Sequence, residues 1–172
     1  MTDSEWVRAA VAQYEAPLIR YALRFSGDLE TARDIVQDTL LKLCRADRSE
    51  VEPHLAQWLY TVCRNRAVDV GRKEGRMNHS HTEVADLASE RDAAPHAPAE
   101  RAETYGHVLA LLATLPPRQQ EVIRLKFQEG LSYKEIAGIT QLTANHVGVI
   151  IHEGIKTLRA RLGATPRVAR EA

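Results

Sequence analysis

The stretch LSYKEIAGITQLTANHVGVIIHEGIKTLRARL, residues 131–162, leaves the chain few folding alternatives. Ser132 followed three residues later by Glu135 is a capping box, in which each side chain satisfies a free backbone N–H of the other. It opens a short helix, YKEIAGI. TQL turns the chain, and Thr143 caps a second helix that runs to about Leu162. Val147, Ile150, Ile151, Ile155 and Leu158 fall on one stripe of that helix and face inward. Ala137 supplies a small side chain where the two helices meet. A short helix, a three-to-four-residue turn and a longer helix make a helix-turn-helix. In DNA-binding proteins the second helix lies in the major groove. A helical hairpin in a structural bundle has the same pattern, so the pattern alone leaves both readings open.

The rest of the chain is also helical by period, which predicts an all-α fold. SEWVRAAVAQYEAPLIRYALRFSG ends at Gly27, and Pro17 inside it predicts two short helices or a kink. Asp28 caps LETARDIVQDTLLKLCRA, whose apolar face is Leu29, Ala32, Val36, Leu40 and Leu43. Its opposite face carries Glu30, Asp34, Gln37, Asp38 and Lys42. DRSEVEP reads as a loop, with Pro53 suited to the first turn of the next helix. That helix, HLAQWLYTVCRNRAVDVGRKEGR, is expected to bury Leu55, Trp58, Leu59, Val62 and Val70. Thr61, Asn65, Asp69, Arg72 and Arg76 line its other side. Residues 77–100 lose periodicity and carry more acids than bases, the composition of a flexible linker. AETYGHVLALLATL resumes the helical pattern, and the second proline of the following PP opens RQQEVIRLKFQEG, which stops at Gly130. The organisation is therefore two small helical domains, 1–76 and 101–162, joined by a flexible acidic linker, 77–100, with a tail at 163–172.

Charge is distributed unevenly although it sums to zero over 172 residues. Residues 54–76 hold Arg64, Arg66, Arg72, Lys73 and Arg76 against two acids. Residues 153–172 hold Lys156, Arg159, Arg161, Arg167 and Arg170, again against two. Two basic surfaces joined by a tether suit a protein that grips DNA at two places. The bland alternative is a pair of solvated helix faces. Cys44 and Cys63 have no zinc spacing and read as core thiols. His79 and His81, in the linker with no nearby cysteine, do not make a metal site. No signal peptide, membrane span, phosphate-binding glycine loop or nucleophile–base pair is present in the pattern. The expectation is a cytoplasmic chain with no catalytic residues, no metal and no cofactor.

Three blocks together resemble the small, extracytoplasmic-function (ECF) group of bacterial RNA polymerase sigma factors, within the sigma-70 family. They are DLETARDIVQDTLLKL, WLYTVCRNRAVDVGRKEGR and LPPRQQEVIRLKFQEGLSYKEIA. The resemblance spans most of residues 5–162, with the linker as a gap. It implies a sigma-two-like domain followed by a sigma-four-like helix-turn-helix domain, which load core RNA polymerase onto promoter DNA. It assigns Asp34, Gln37 and Asp38 to the polymerase clamp. It assigns Arg64, Asn65, Arg66, Arg72, Lys73 and Arg76 to the downstream element and strand opening, with Asn65 beside an unstacked base. Thr143, Asn145, His146, Lys156 and Arg159 fall to the upstream element. An anti-sigma factor is the further partner implied.

The chain departs from the family at several positions. Leu40 stands where Phe is common, and Gln141 where a turn glycine is common. Gly148 replaces a polar or basic residue; Ile150 and Glu153 replace arginines. The first half of the last helix thus has no Lys or Arg, and readout is expected from Asn145 and His146 near its N-terminus, which itself attracts phosphate. Gly148 within a helix suggests close approach of a DNA backbone or another helix. The departure keeps a rival open, a sigma-like decoy that binds an anti-sigma protein without reading DNA. A one-component repressor would need a ligand pocket or dimer helix, and neither is evident.

Overall fold

The computed structural model describes residues 2–73 and 99–164, and the regular structure among them is helical. Linker residues 77–98, tail residues 165–172 and the site residue Arg76 lie outside the described residues, as do His79, His81, Arg167 and Arg170. The chain divides into two compact units.

In the N-terminal unit, α1 spans Asp3–Ser26. Thr2 caps it, with Glu5 returning a hydrogen bond to the Thr2 N–H at 2.7 Å. Of the two outcomes expected at Pro17, separate short helices do not form: one helix continues through it. A proline removes one intrahelical bond and crowds the preceding turn, at about 3 kcal/mol. Here Leu18, Tyr21 and Ala22 immediately beyond it are buried, and this packing offsets that cost. Gly27 ends the helix in the left-handed region at φ 69°, donating its N–H to the Leu23 carbonyl at 2.8 Å. Asp28 then caps α2, Leu29–Leu43, by accepting from the N–H groups of Glu30 and Thr31.

The expected loop at 47–53 contains more structure than the sequence suggested. Asp47 accepts from the Ser49 N–H at 2.8 Å and caps a single turn, α3, Arg48–Val51. A 3-10 turn, Glu52–His54, carries Pro53 and leads into α4, Leu55–Lys73. Arg48 fixes this corner. It binds Glu52 through two nitrogens at 2.9 and 3.0 Å, reaches Asp3 at 3.6 Å and lies 5.6 Å from the centre of the Trp6 ring.

Helices α1, α2 and α4 pack on one another. Their shared core contains Leu18 and Tyr21, Ala32, Ile35, Val36 and Leu43, and Leu59, Tyr60, Cys63 and Ala67. Tyr21 stands edge-on to Tyr60, with ring centres 5.1 Å apart. Two predicted core faces are rotated from this. On α2, Ile35 and Thr39 are buried while Leu29 and Leu40 are half-buried. On α4, Leu59 is buried as expected, but Leu55, Trp58, Val62 and Val70 are half-buried. Tyr60, Cys63, Ala67 and Gly71 take the inner face instead. Small side chains let helix surfaces interlock closely, so Ala67 turns inward and the bulkier Trp58 sits at the margin. Cys44 is also corrected: it is exposed, because it caps α2 one residue after Leu43, the last inward position.

After residue 98 come α5, Ala99–Ala113; α6, Pro117–Phe127; α7, Tyr133–Thr140; and α8, Ala144–Ala164. Helix α5 begins inside the span expected as linker, and Gly163 and Ala164 finish α8 rather than opening the tail. Gln120 is buried, and its amide donates to the carbonyls of Ala113 and Leu115 at 3.0 and 2.8 Å. It thereby satisfies carbonyls where α5 ends and holds the Pro-Pro corner. Leu112, Leu115 and Ile123 form a core cluster joined by Leu109 and Leu158. Helix α8 packs on α5 and α6. Gly154 makes the second contact possible, since a Cβ there would collide with Cδ1 of Ile123.

Candidate nucleic-acid interface

Helix α2 exposes Asp34 and Gln37 on the side away from its core, as expected. Asp38 lies on the same face but is half-buried. Its Oδ2 accepts from Nε of Arg66 on α4 at 2.8 Å. One residue assigned to the polymerase set and one assigned to the DNA set are therefore bound to each other. Both remain partly exposed, at 44% and 37% of their side-chain surface, so water still screens the pair. Leu41 extends this face, one turn beyond Gln37 and Asp38, and is 48% exposed. Sequence reasoning missed it because an isolated leucine next to a core stripe looks like part of that stripe.

Helix α4 exposes Asn65, Asp69, Arg72 and Lys73, with Thr61 half-buried above them. Of the row expected from the spacing these include Thr61, Asn65, Asp69 and Arg72; Lys73 lies beside it, and Arg76 is outside the described residues. The amide of Asn65 can both donate to and accept from a base edge, and Arg72 and Lys73 can meet phosphates. The other two arginines are engaged within the fold. Arg66 holds Asp38, and the Arg64 guanidinium lies 6.0 Å from the centre of the Phe25 ring on α1. The basic surface of the described part of α4 thus rests on Arg72 and Lys73.

The helix-turn-helix forms as the capping signals require. Ser132 accepts from the Glu135 N–H at 3.2 Å, and Glu135 accepts from the Ser132 N–H at 2.7 Å. That backbone bond is the main reason the Glu135 carboxyl is held below its ordinary range. Gln141 ends α7 with φ 60°, the one left-handed non-glycine among the described residues. It occupies the conformation in which a glycine would be unstrained. Thr143 then accepts from the His146 N–H at 3.2 Å and starts α8.

Along α8, Val147, Ile150, Ile151 and Gly154 are buried, with Ile155 and Leu158 half-buried. The outer side exposes Thr143, Asn145, His146, Val149, His152, Glu153, Lys156 and Arg159. All five residues expected at the upstream element are therefore accessible. Arg161, counted in the basic surface of residues 153–172, is hydrogen-bonded to Thr114. Gly148 has a neighbour within the protein: an added Cβ would stand 3.4 Å from Cε2 of Tyr133. The neighbour at Gly148 is thus the Tyr133 side chain of α7, at ordinary van der Waals distance. The Lys126 ammonium lies 5.2 Å from the centre of the same ring and donates to the Leu131 carbonyl at 3.2 Å. Lys126, Tyr133 and the Gly148 backbone so form a stack beside the turn.

Among the described residues no group of three or more His, Cys, Asp or Glu could hold a metal ion, and no helix is long and apolar enough to cross a membrane. Cys63 is buried beside Thr39, and desolvation pushes its thiol up to about 12.

These two units coincide with two known family patterns. Sigma-70 region 2 matches residues 10–77, and Sigma-70, region 4, matches residues 106–158. The chain is 30% identical to ECF RNA polymerase sigma factor SigL of Mycobacterium tuberculosis, over 93% of this chain and 90% of that one. It is 29% identical to RNA polymerase sigma factor CarQ of Myxococcus xanthus, over 87% and 89%. ECF RNA polymerase sigma factor SigE of Mycolicibacterium smegmatis is 28% identical over 87% of this chain, which spans 58% of SigE's length. With both sigma-70 regions in order and near full-length similarity to SigL, the chain belongs to the ECF group of the sigma-70 family of sigma factors.

Proposed function

We propose that the chain initiates transcription at specific promoters through three separate surfaces, and has no catalysis, metal or cofactor of its own. The exposed α2 face of Asp34 and Gln37, with Leu41 beside them, holds the clamp of core RNA polymerase. Acids pair with Arg or Lys across such an interface, and an apolar residue among them adds buried area. Asp38 contributes less than its sequence position implied, because Arg66 already occupies part of its carboxylate. On α4, Asn65 holds an unstacked promoter base while Arg72 and Lys73 bind phosphates. Opening the duplex is then selective binding of the strand once it has separated, which shifts the open–closed equilibrium. Asn145 and His146 on α8 read the upstream element, with Lys156 and Arg159 on flanking phosphates. The protein acts in the cytoplasm, and an anti-sigma factor is its natural antagonist.

The observation that carries this reading is the exposure, on two separately folded units, of a polar row beginning with an asparagine and ending in basic residues. The deciding experiment adds the purified chain to core polymerase on promoter templates and looks for specific transcripts. Asn65→Ala should reduce strand opening more than closed-complex formation. Arg72→Ala should weaken binding across sequences and flatten its salt dependence. If both substitutions lower affinity alike on every sequence, Asn65 has no such role. The absence of Lys and Arg from the first half of α8 favours the decoy as second reading. A decoy yields no transcripts with any promoter while still binding an anti-sigma protein.

A further inference from the structure

Val149 is a large apolar residue exposed on the outer α8 surface, and this reading leaves it without a task. It is 52% exposed, although valine is a weak helix former and nothing in the core requires it there. Its position is central. At about 100° per residue, Val149 lies roughly 40° from Asn145 and roughly 60° from His152 around the helix axis. The buried stripe of Val147, Ile151 and Gly154 lies on the opposite side. Any surface that meets Asn145 and His152 squarely must also meet Val149.

A major groove offers such a residue one apolar partner, the 5-methyl group of thymine. Its other edge groups are hydrogen-bond donors and acceptors, which a valine could only leave unpaired. The polar neighbours narrow the choice further. Guanine is read best by the fork of Arg or by Lys, and residues 143–155 contain neither. We propose that Val149 is a specificity-determining residue that packs on a thymine methyl in the upstream element. The inference rests on the reading that α8 docks in the groove. Four residues of helix advance about 6 Å, so this thymine lies about two base pairs from the base that Asn145 contacts.

The test uses the full chain assembled with core polymerase, and a library of promoters randomised across the upstream element. Wild type should select thymine at one position about two base pairs from the Asn145-dependent one. Replacing that thymine with deoxyuridine, which removes only the methyl group, should then weaken promoter use about fourfold, the worth of one buried methyl. Val149→Ala should treat the two templates nearly alike, whereas Val149→Thr, which keeps a methyl, should retain part of the discrimination. Because the side chain is exposed, both variants should keep the wild-type helical spectrum. If Asn145→Ala erases selection at its own position while Val149→Ala changes nothing, the methyl contact is wrong and groove docking stands. If neither substitution alters selection, both fall.

Discussion

Reversing the charge of Asp38 should destabilise the N-terminal unit, whereas reversing Asp34 should not. The two carboxylates sit one turn apart on α2, and a sequence reading treats them as equivalent. Asp38, however, lies 2.8 Å from Nε of Arg66. Two unit charges about 4 Å apart attract by about 1 kcal/mol in water and about 4 kcal/mol at an effective dielectric constant near 20. Ordering two side chains and screening by salt reduce exposed pairs to about 0.2–1 kcal/mol. With roughly 40% of each side chain exposed, this pair belongs near the top of that lower range. Asp38→Arg removes the attraction and substitutes a repulsion of similar size, for a total loss of about 2 kcal/mol. In a domain of this size that is about 8–16 °C in Tm. Asp34→Arg should stay within about 0.5 kcal/mol of wild type, as surface substitutions do. The double exchange Asp38→Arg with Arg66→Asp should recover most of the loss. Urea unfolding followed by helical circular dichroism, at low and high salt, measures all four proteins. Equal stability of Asp38→Arg and Asp34→Arg, or no recovery in the double exchange, would refute the pairing. In a polymerase pull-down, Asp34→Arg should then be the cleaner probe of the clamp face.

Gln141→Gly should stabilise the C-terminal unit by about 0.5–1 kcal/mol: relief of the left-handed Cβ clash exceeds the backbone entropy that glycine adds. A lower Tm for this variant would show that Gln141 is not held in that conformation. Near pH 8 a thiol reagent should label Cys44 quickly in the native protein and Cys63 only after denaturant is added, because burial raises the Cys63 thiol to about 12. The same shift has a linkage consequence, since the folded-state value lies above that of an unfolded thiol. Its stabilising contribution is complete below about pH 8.5, and is lost as pH rises from there towards 12; stability measured across that window should fall more steeply in wild type than in Cys63→Ala. Glu135→Ala should destabilise near pH 7, and its deficit should shrink in acid. The depressed Glu135 carboxyl contributes above its unfolded value, about 4.3, and that contribution fades as pH falls through the folded one; a deficit unchanged at pH 3 would exclude the ionised capping box.

What could be read from the sequence was local. Thr143, Ser132 with Glu135, Asp28 and Gly27 announce helix ends through bonds made within three or four residues, and each forms as expected. The polar rows on α2, α4 and α8 follow from helical period alone. The facing of one helix against another did not follow from it. Period fixes which residues share a stripe but leaves its phase uncertain by part of a turn when apolar residues border it. Hence Ile35 and Tyr60 are in the core while Leu40 and Trp58 sit at its edge. The Asp38–Arg66 bond spans 28 positions and depends on how α2 crosses α4, which neither segment encodes alone. Tyr133 above Gly148 is of the same kind. Pro17 did not divide the helix for a different reason: the penalty it carries is fixed, and burial beyond it offsets that penalty.

The contact between Gly154 and Ile123 gives α8 the mechanics of a lever. Its fulcrum is buried in the C-terminal unit, and Asn145 lies nine residues away along the arm, about 14 Å. A methyl group added at the fulcrum must either turn the Ile123 side chain or tilt the arm. A tilt of roughly 5° would carry Asn145 through about 1 Å, enough to stretch a 2.9 Å hydrogen bond beyond use. Because Val147, Ile150 and Ile151 pack along the arm, such a tilt disturbs the core as well: Gly154→Ala should lower Tm and alter which upstream elements are preferred together, an outcome the unfolding curve and the randomised-promoter selection can register. Sequence preference in such a domain can drift by exchanges between side chains that never touch a base, with the reading surface itself left unchanged.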